Sequence, residues 1–109
     1  MSKDVTTQLY QSLKSKDFQQ KLANTSDAIL LDVRTDEEFK SEHIPNAINI
    51  NVMEDSFIAK IAALDKTKTY FVYCRSGGRS GSACSIMSKQ GYNVYNLAGG
   101  ISNWTGEVC

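Results

Sequence analysis

Two short runs that are apolar on both faces constrain this chain most. Ala28-Ile29-Leu30-Leu31-Asp32-Val33 and Tyr70-Phe71-Val72-Tyr73 show no alternation of apolar and polar residues. A strand with one face in water alternates with a period of two, so these runs need cover on both sides. Parallel sheets sandwiched between helices supply that cover. Ala47-Ile48-Asn49-Ile50 and Val94-Tyr95-Asn96-Leu97 are shorter strand candidates, and Tyr10 to Lys14 is a weaker edge candidate.

Helix signals fill the gaps. Ser15 or Asp17 is placed to cap a helix that carries Phe18 and Leu22 at i and i+4. Asp36-Glu37-Glu38-Phe39 reads as an acidic first turn, the sign that the helix dipole favours. Phe57, Ile61 and Leu64 form one apolar stripe; Ala83, Ile86 and Met87 form another, stopped by Gly91. Strand and helix in alternation predict an α/β fold. At 109 residues there is room for one domain, with residues 1–9 as an N-terminal extension.

Composition excludes several classes. Lys plus Arg is 12 and Asp plus Glu is 12, so no overall positive field favours nucleic acid. No apolar run approaches the roughly 18 residues of a membrane span, and the polar start predicts no secretory signal. Three cysteines are too few for a disulfide framework. The expectation is a cytoplasmic domain in which cysteine matters as a thiol, with no metal or cofactor.

The chemistry concentrates in Tyr70-Phe71-Val72-Tyr73-Cys74-Arg75-Ser76-Gly77-Gly78-Arg79-Ser80. A buried strand runs into Cys74, then into a loop of small residues with two arginines, then into a helix. Ligands of open α/β sheets bind past the carboxyl ends of strands, where Cys74 falls. The helix directs its free N–H groups at the loop, and Gly77 and Gly78 allow the positive φ of an anion nest. Arg75 and Arg79 add positive charge. Each of these favours a thiolate at Cys74, and the same cradle suits an anionic substrate. A nucleophile and an anion site in one loop point to transfer of a group from an anionic donor to sulfur.

Four segments resemble the signatures of the rhodanese-like sulfurtransferase family. They are Leu31-Asp32-Val33-Arg34 with Glu37, Glu38 and Phe39; His43-Ile44-Pro45-Asn46-Ala47-Ile48-Asn49-Ile50; the Cys74–Ser80 loop; and Leu97-Ala98-Gly99-Gly100-Ile101 with Trp104. The resemblance spans roughly residues 10 to 106. Glu42 and Asn46 stand where the family usually or often has glycine, which puts the local turn geometry in question. The resemblance implies a single rhodanese-like domain over residues 10–106, with five mostly parallel strands and helices on both faces. It implies that Cys74 takes a sulfane sulfur from thiosulfate or a similar donor, forming a persulfide. Cyanide, a cellular thiol or a protein acceptor then receives the sulfur. Arg75, Ser76, Gly77, Gly78, Arg79 and Ser80 would bind the donor, with Asp32 and Arg34 in support.

The nearest rivals are the cysteine phosphatases and arsenate reductases. Dual-specificity phosphatases have one residue more between cysteine and arginine than the Arg75-Ser76-Gly77-Gly78 spacer seen here. The tighter loop should fit a sulfane sulfur and crowd a tetrahedral phosphate. A non-catalytic sulfur carrier or sensor is the other alternative.

Outside the loop, Asp32 either caps the turn after its strand or faces the loop and orders the arginines. Arg34 is expected to pair with Glu37 or Glu38. His43 is expected to pack and hydrogen-bond rather than act as a base. Cys84 is read as a small helix-face residue, Cys109 as mobile and exposed, and Ile101 with Trp104 as an anchor. Gly99 and Gly100 are read as permitting a tight turn.

Overall fold

The computed structural model describes residues 10–109; the extension expected over residues 1–9 lies outside the described residues. The sheet contains β1 (Gln11–Leu13), β2 (Ala28–Asp32), β3 (Ile48–Asn49), β4 (Thr69–Tyr73) and β5 (Asn93–Leu97), in the order β1-β5-β4-β2-β3. Every neighbouring pair is parallel, with Leu31 beside Val72 and Ser12 beside Asn96. Helices α1 (Ser15–Ala23), α2 (Asp36–Ser41), α3 (Phe57–Ala62) and α4 (Gly78–Lys89) make the crossovers. A 3-10 turn follows at Ile101–Asn103. No described helix is long and apolar enough to cross a membrane.

Strand β4 is buried at all five positions. It lies between β2 and β5 in the sheet, so its side chains meet helices above and below. The two-residue period of a strand sorts them. Tyr70 and Val72 join Leu31, Val33, Phe57, Ile61, Ala83 and Met87 on the α3 and α4 side. Phe71 and Tyr73 join Phe18, Leu30, Ile44 and Leu97 on the other, with Trp104 packed against them. Phe18 meets Phe71 edge-on at 5.4 Å and Trp104 at 6.1 Å. Such pairs each add about 0.5–1.5 kcal/mol beyond the area they bury. Cys74 continues the parity of Tyr70 and Val72, so it points toward α4.

Some local expectations are corrected. Neither Ser15 nor Asp17 is the cap of α1; the cap position is Lys14, with no side-chain cap bond. Ser15 is the first helical residue, and its hydroxyl instead accepts the Thr105 N–H at 3.0 Å. A tertiary partner has taken the group that would have capped the helix. Helix α2 has the acidic first turn and also a full capping box: Thr35 accepts from the Glu38 N–H, and Glu38 accepts from the Thr35 N–H. Asn46 takes φ 73°, in the left-handed region where glycine is at home, while Glu42 is merely extended at φ −170°. Of the two departures from the usual glycines, only Asn46 strains the backbone. Cys109 is exposed but tied: it exchanges backbone hydrogen bonds with His43 at 2.8 and 3.0 Å.

Candidate active site

The loop after β4 closes around Cys74. Its Sγ receives the Gly77 N–H at 3.0 Å and the Ser80 hydroxyl at 3.3 Å. Gly77 adopts φ 106°, which turns its N–H back toward the sulfur, and a Cβ there would come within 3.3 Å of the Gly99 nitrogen. Positive φ was expected at Gly78 as well. That residue instead opens α4, so one reversal is enough to bring the helix N-terminus onto the thiol. Burial pushes the Cys74 thiol up. Hydrogen bonds from the Ser80 hydroxyl and from the backbone of Ser80, Gly77 and Ser76 outweigh it, and the net shift is downward. The arrangement stabilises sulfur-centred negative charge in a nearly dry site, since Cys74 is only 1% exposed.

The arginines are arranged differently from the simple picture of two charges facing a thiolate. Arg79 forks onto Glu38, with Nη1 to Oε1 at 2.8 Å and Nη2 to Oε2 at 3.0 Å. Arg75 is mostly exposed, and its Nη1 lies 4.0 Å from Glu38 Oε2. Glu38 is therefore a hub: its bonds to Arg79 lead the effects that hold its carboxyl down at about 2. Arg34 does not pair with Glu37 or Glu38. It folds back onto Asp32, with Nη2 to Oδ2 at 2.7 Å, and donates to the Glu42 carbonyl at 2.6 Å. Asp32 in turn accepts the Arg34 backbone N–H at 2.9 Å, which is the turn-capping reading of that residue. Its carboxylate is occupied by Arg34 and does not order Arg75 or Arg79. A groove of about 490 Å³ opens beside the loop, with Arg75, Glu38 and Ser102 in its wall.

Matching this geometry, the family model for the rhodanese-like domain covers residues 14–107. The chain belongs to the rhodanese-like domain family. It is 36% identical over 91 residues to the putative sulfurtransferase YtwF of Bacillus subtilis, across 84% of this chain and 86% of that protein. It is 40% identical over 73 residues to the thiosulfate sulfurtransferase PspE of Escherichia coli, across 67% and 70% of the two chains. The crystal structure of a rhodanese-related protein from Thermoplasma volcanium matches with a TM-score of 0.81 at 30% identity, over 92% of this chain and 98% of that one. These relatives support sulfur transfer in general terms.

Three parts of this rhodanese-like site are absent from the sequence reading. The first is the Glu38–Arg79 fork. The Thr35-x-x-Glu38 spacing was a readable capping signal, but nothing in it reveals that the same carboxylate crosses to the loop. The second is the contact that the turn after β5 makes with the loop; the turn itself, with Gly99 and Gly100 at positive φ, is as expected. The Ile101 N–H donates to the Cys74 carbonyl at 2.9 Å and the Ser102 N–H to the Arg75 carbonyl at 3.0 Å. A Cβ at Gly100 would sit 2.4 Å from the Arg75 oxygen, so the glycine lets this turn lie against the Cys74 loop and hold it. The third is Asn96, buried on β5 and bonded to Ser80. His43 packs as expected, stacked on Phe39 at 3.9 Å with its Nδ1 against the Phe39 carbonyl. Cys84 is fully buried and its thiol is pushed up to about 12 by burial, which leaves it inert at neutral pH.

Proposed function

We propose that this protein is a sulfurtransferase that moves a sulfane sulfur from thiosulfate, or a similar small anionic donor, to a thiophilic acceptor through a Cys74 persulfide. The observation that carries the reading is the Cys74 sulfur held by the Gly77 N–H and the Ser80 hydroxyl at the end of a buried strand. In the first step the Cys74 thiolate attacks the outer sulfur of thiosulfate. The S–S bond of the donor breaks, its electron pair leaves with sulfite, and a Cys74 persulfide anion remains. In the second step cyanide, a small thiol or a protein thiol attacks the terminal sulfur, and Cys74 leaves as the thiolate it began as.

The N–H groups of the loop serve the attacking thiolate, the anionic donor and the persulfide in turn. Arg79 supplies charge at the start of α4, and Arg75 meets the donor at the mouth. The sulfurtransferases among the chain's relatives agree with this class of reaction, and the short Cys74–Arg79 spacer argues against a phosphate in the cradle. The test is an intact mass spectrum after thiosulfate treatment. One sulfur atom is gained on Cys74 and lost on adding cyanide, and Cys74→Ser gains none. Retention of sulfur transfer by Cys74→Ser would remove the nucleophile from the proposal. Cys74-dependent turnover of an aryl phosphate, matching or exceeding sulfur transfer, would favour the phosphatase reading.

A further inference from the structure

Ser80 has one hydroxyl proton and three acceptors around it. They are Cys74 Sγ at 3.3 Å, the Gly77 carbonyl at 3.3 Å and Asn96 Oδ1 at 2.5 Å. Ser80 is wholly buried and Asn96 nearly so, so neither can readily exchange a protein partner for water. A buried hydroxyl in this position must share one proton between the sulfur and the amide oxygen.

The far end of Asn96 breaks the tie. Its Nδ2 donates to the Ser12 hydroxyl at 3.1 Å. Ser12 sits directly beside Asn96 in the β1–β5 register and is exposed, so its hydroxyl is free to rotate. A side-chain amide has nearly the same shape when turned end for end, but its donor and acceptor exchange. In the orientation described, Ser80 divides its proton between Asn96 Oδ1 at 2.5 Å and the sulfur at 3.3 Å. In the reversed orientation every bond runs the other way. Ser12 donates to Oδ1, Nδ2 donates to Ser80 Oγ, and the Ser80 proton is released to the sulfur. The first arrangement suits a neutral thiol, which needs no donor. The second suits a thiolate, which needs as many as it can collect.

We propose that Asn96 is a positioning residue for Cys74: its amide turns over when the thiol ionises, and the Ser12–Asn96–Ser80 chain then delivers the Ser80 hydroxyl proton to the thiolate as a hydrogen bond. No covalent bond changes in the chain. The thiol proton leaves to solvent, the two hydroxyls rotate, and the amide exchanges ends. Because β1 and β5 carry two members of the chain, the sheet takes part in tuning a nucleophile that the loop alone was expected to tune. The charged groups near the loop are Arg79 on α4, paired with Glu38 on α2; the exposed Arg75; and the Asp32–Arg34 pair after β2. The Cys84 thiol, also on α4, is pushed up to about 12 by burial and stays neutral around neutral pH.

The inference rests on Cys74 being the ionising nucleophile, but its test needs no turnover, so it can fail while sulfur transfer stands. The pH dependence of Cys74 alkylation by iodoacetamide gives the midpoint of ionisation. Side-chain amide resonances of Asn96 are followed by nuclear magnetic resonance over the same range. They are expected to shift with that same midpoint. The amide protons should show contacts to Ser12 below it and to Ser80 above it. Cys74→Ser removes the ionisation and should leave the resonances flat. Ser80→Ala leaves the ionisation but removes the link, and should abolish the switch in contacts. A shift that persists unchanged in Ser80→Ala would show only the electric field of the thiolate and overturn the proposal. An amide whose contacts stay with Ser12 at every pH would overturn it as well.

Discussion

Two arginine–carboxylate pairs stand near the Cys74 loop, and they differ in what surrounds them. Asp32 and Arg34 are two residues apart in one strand-to-turn segment, and both are buried. The Arg34 guanidinium also reaches the Glu42 carbonyl and lies over the Tyr73 ring at 5.6 Å. Glu38 and Arg79 come from different helices and keep 22% and 29% of their side chains exposed. In the first pair both Nε and Nη2 of Arg34 engage the Asp32 carboxylate, so the pair holds the β2 turn in one geometry. Arg34 and Glu38 both line the groove, but only the second pair keeps a substantial share of its side chains in solvent. The same two chemical groups are locked by burial in one place and left partly in solvent in the other.

The largest expected effect breaks the buried pair. Arg34→Ala leaves the Asp32 carboxylate in a dry site with its main partner gone. Removing one partner of a buried pair costs about 3–5 kcal/mol. For a domain of this size that lowers the thermal midpoint by roughly 12 °C or more. The double change Asp32→Leu with Arg34→Met removes both charges together and should lose less than the single change does. Calorimetry on the three proteins checks this. A single variant that loses under about 1 kcal/mol would mean that the pair is not what holds the turn.

The mouth pair should respond less in stability and more in chemistry. The Glu38 carboxyl sits at about 2 in the folded chain, against an ordinary 4.5. A depressed folded value stabilises the fold above the ordinary value, and that contribution is lost as pH falls from about 4.5 toward about 2. The full shift would correspond to about 3–4 kcal/mol, and screening at this partly exposed site leaves on the order of 1 kcal/mol. Glu38→Gln should therefore flatten the acid limb of a denaturation curve measured from pH 5 to pH 2. Arg79→Ala should cost similar stability at neutral pH. It should also raise the pH midpoint of Cys74 alkylation and lower kcat for sulfur transfer about tenfold. An unchanged alkylation profile in Arg79→Ala would mean that Glu38 already cancels the charge seen by the thiol.

The same contrast explains how much of the molecule was legible in its sequence. Both-faced apolar runs such as Tyr70–Tyr73 announced a covered parallel sheet, because burial on two sides leaves a direct mark on composition. The Cys74 loop was legible for a similar reason: glycine, arginine and cysteine in one tight stretch have few other uses. What the sequence concealed were contacts between segments far apart in the chain. Arg34 was expected to pair with Glu37 or Glu38, the nearest acidic residues in the next helix. The turn after Val33 instead bends its guanidinium back over Asp32, which frees Glu38 to cross to Arg79. Ser15 was expected to cap a helix and was claimed by Thr105. Asn96 carried no signal beyond being a polar residue in an apolar strand. For Ser15 a short-range rule named a role and tertiary packing supplied a different partner; for Arg34 the competing carboxylate was two residues back along the chain.

Arg75 is the third arginine and tests the gradient at its exposed end. Its side chain is 70% exposed, and its distance of 4.0 Å to Glu38 makes at most a weak surface ion pair. Arg75→Ala should therefore change stability by no more than about 0.5 kcal/mol. If it captures donors at the mouth, its loss should raise KM for thiosulfate about threefold at low ionic strength with kcat almost unchanged, since the charge acts before the sulfur is attacked. The difference from the natural chain should shrink at about 1 M salt, where charges are screened within roughly 3 Å. Arg79→Ala should keep its kcat defect at that salt, because Arg79 contacts Glu38 at 2.8 and 3.0 Å and Cys74 is buried away from ions. An Arg75→Ala variant that loses kcat and keeps KM would place this arginine in the cradle with Arg79, and exposure would no longer rank the three.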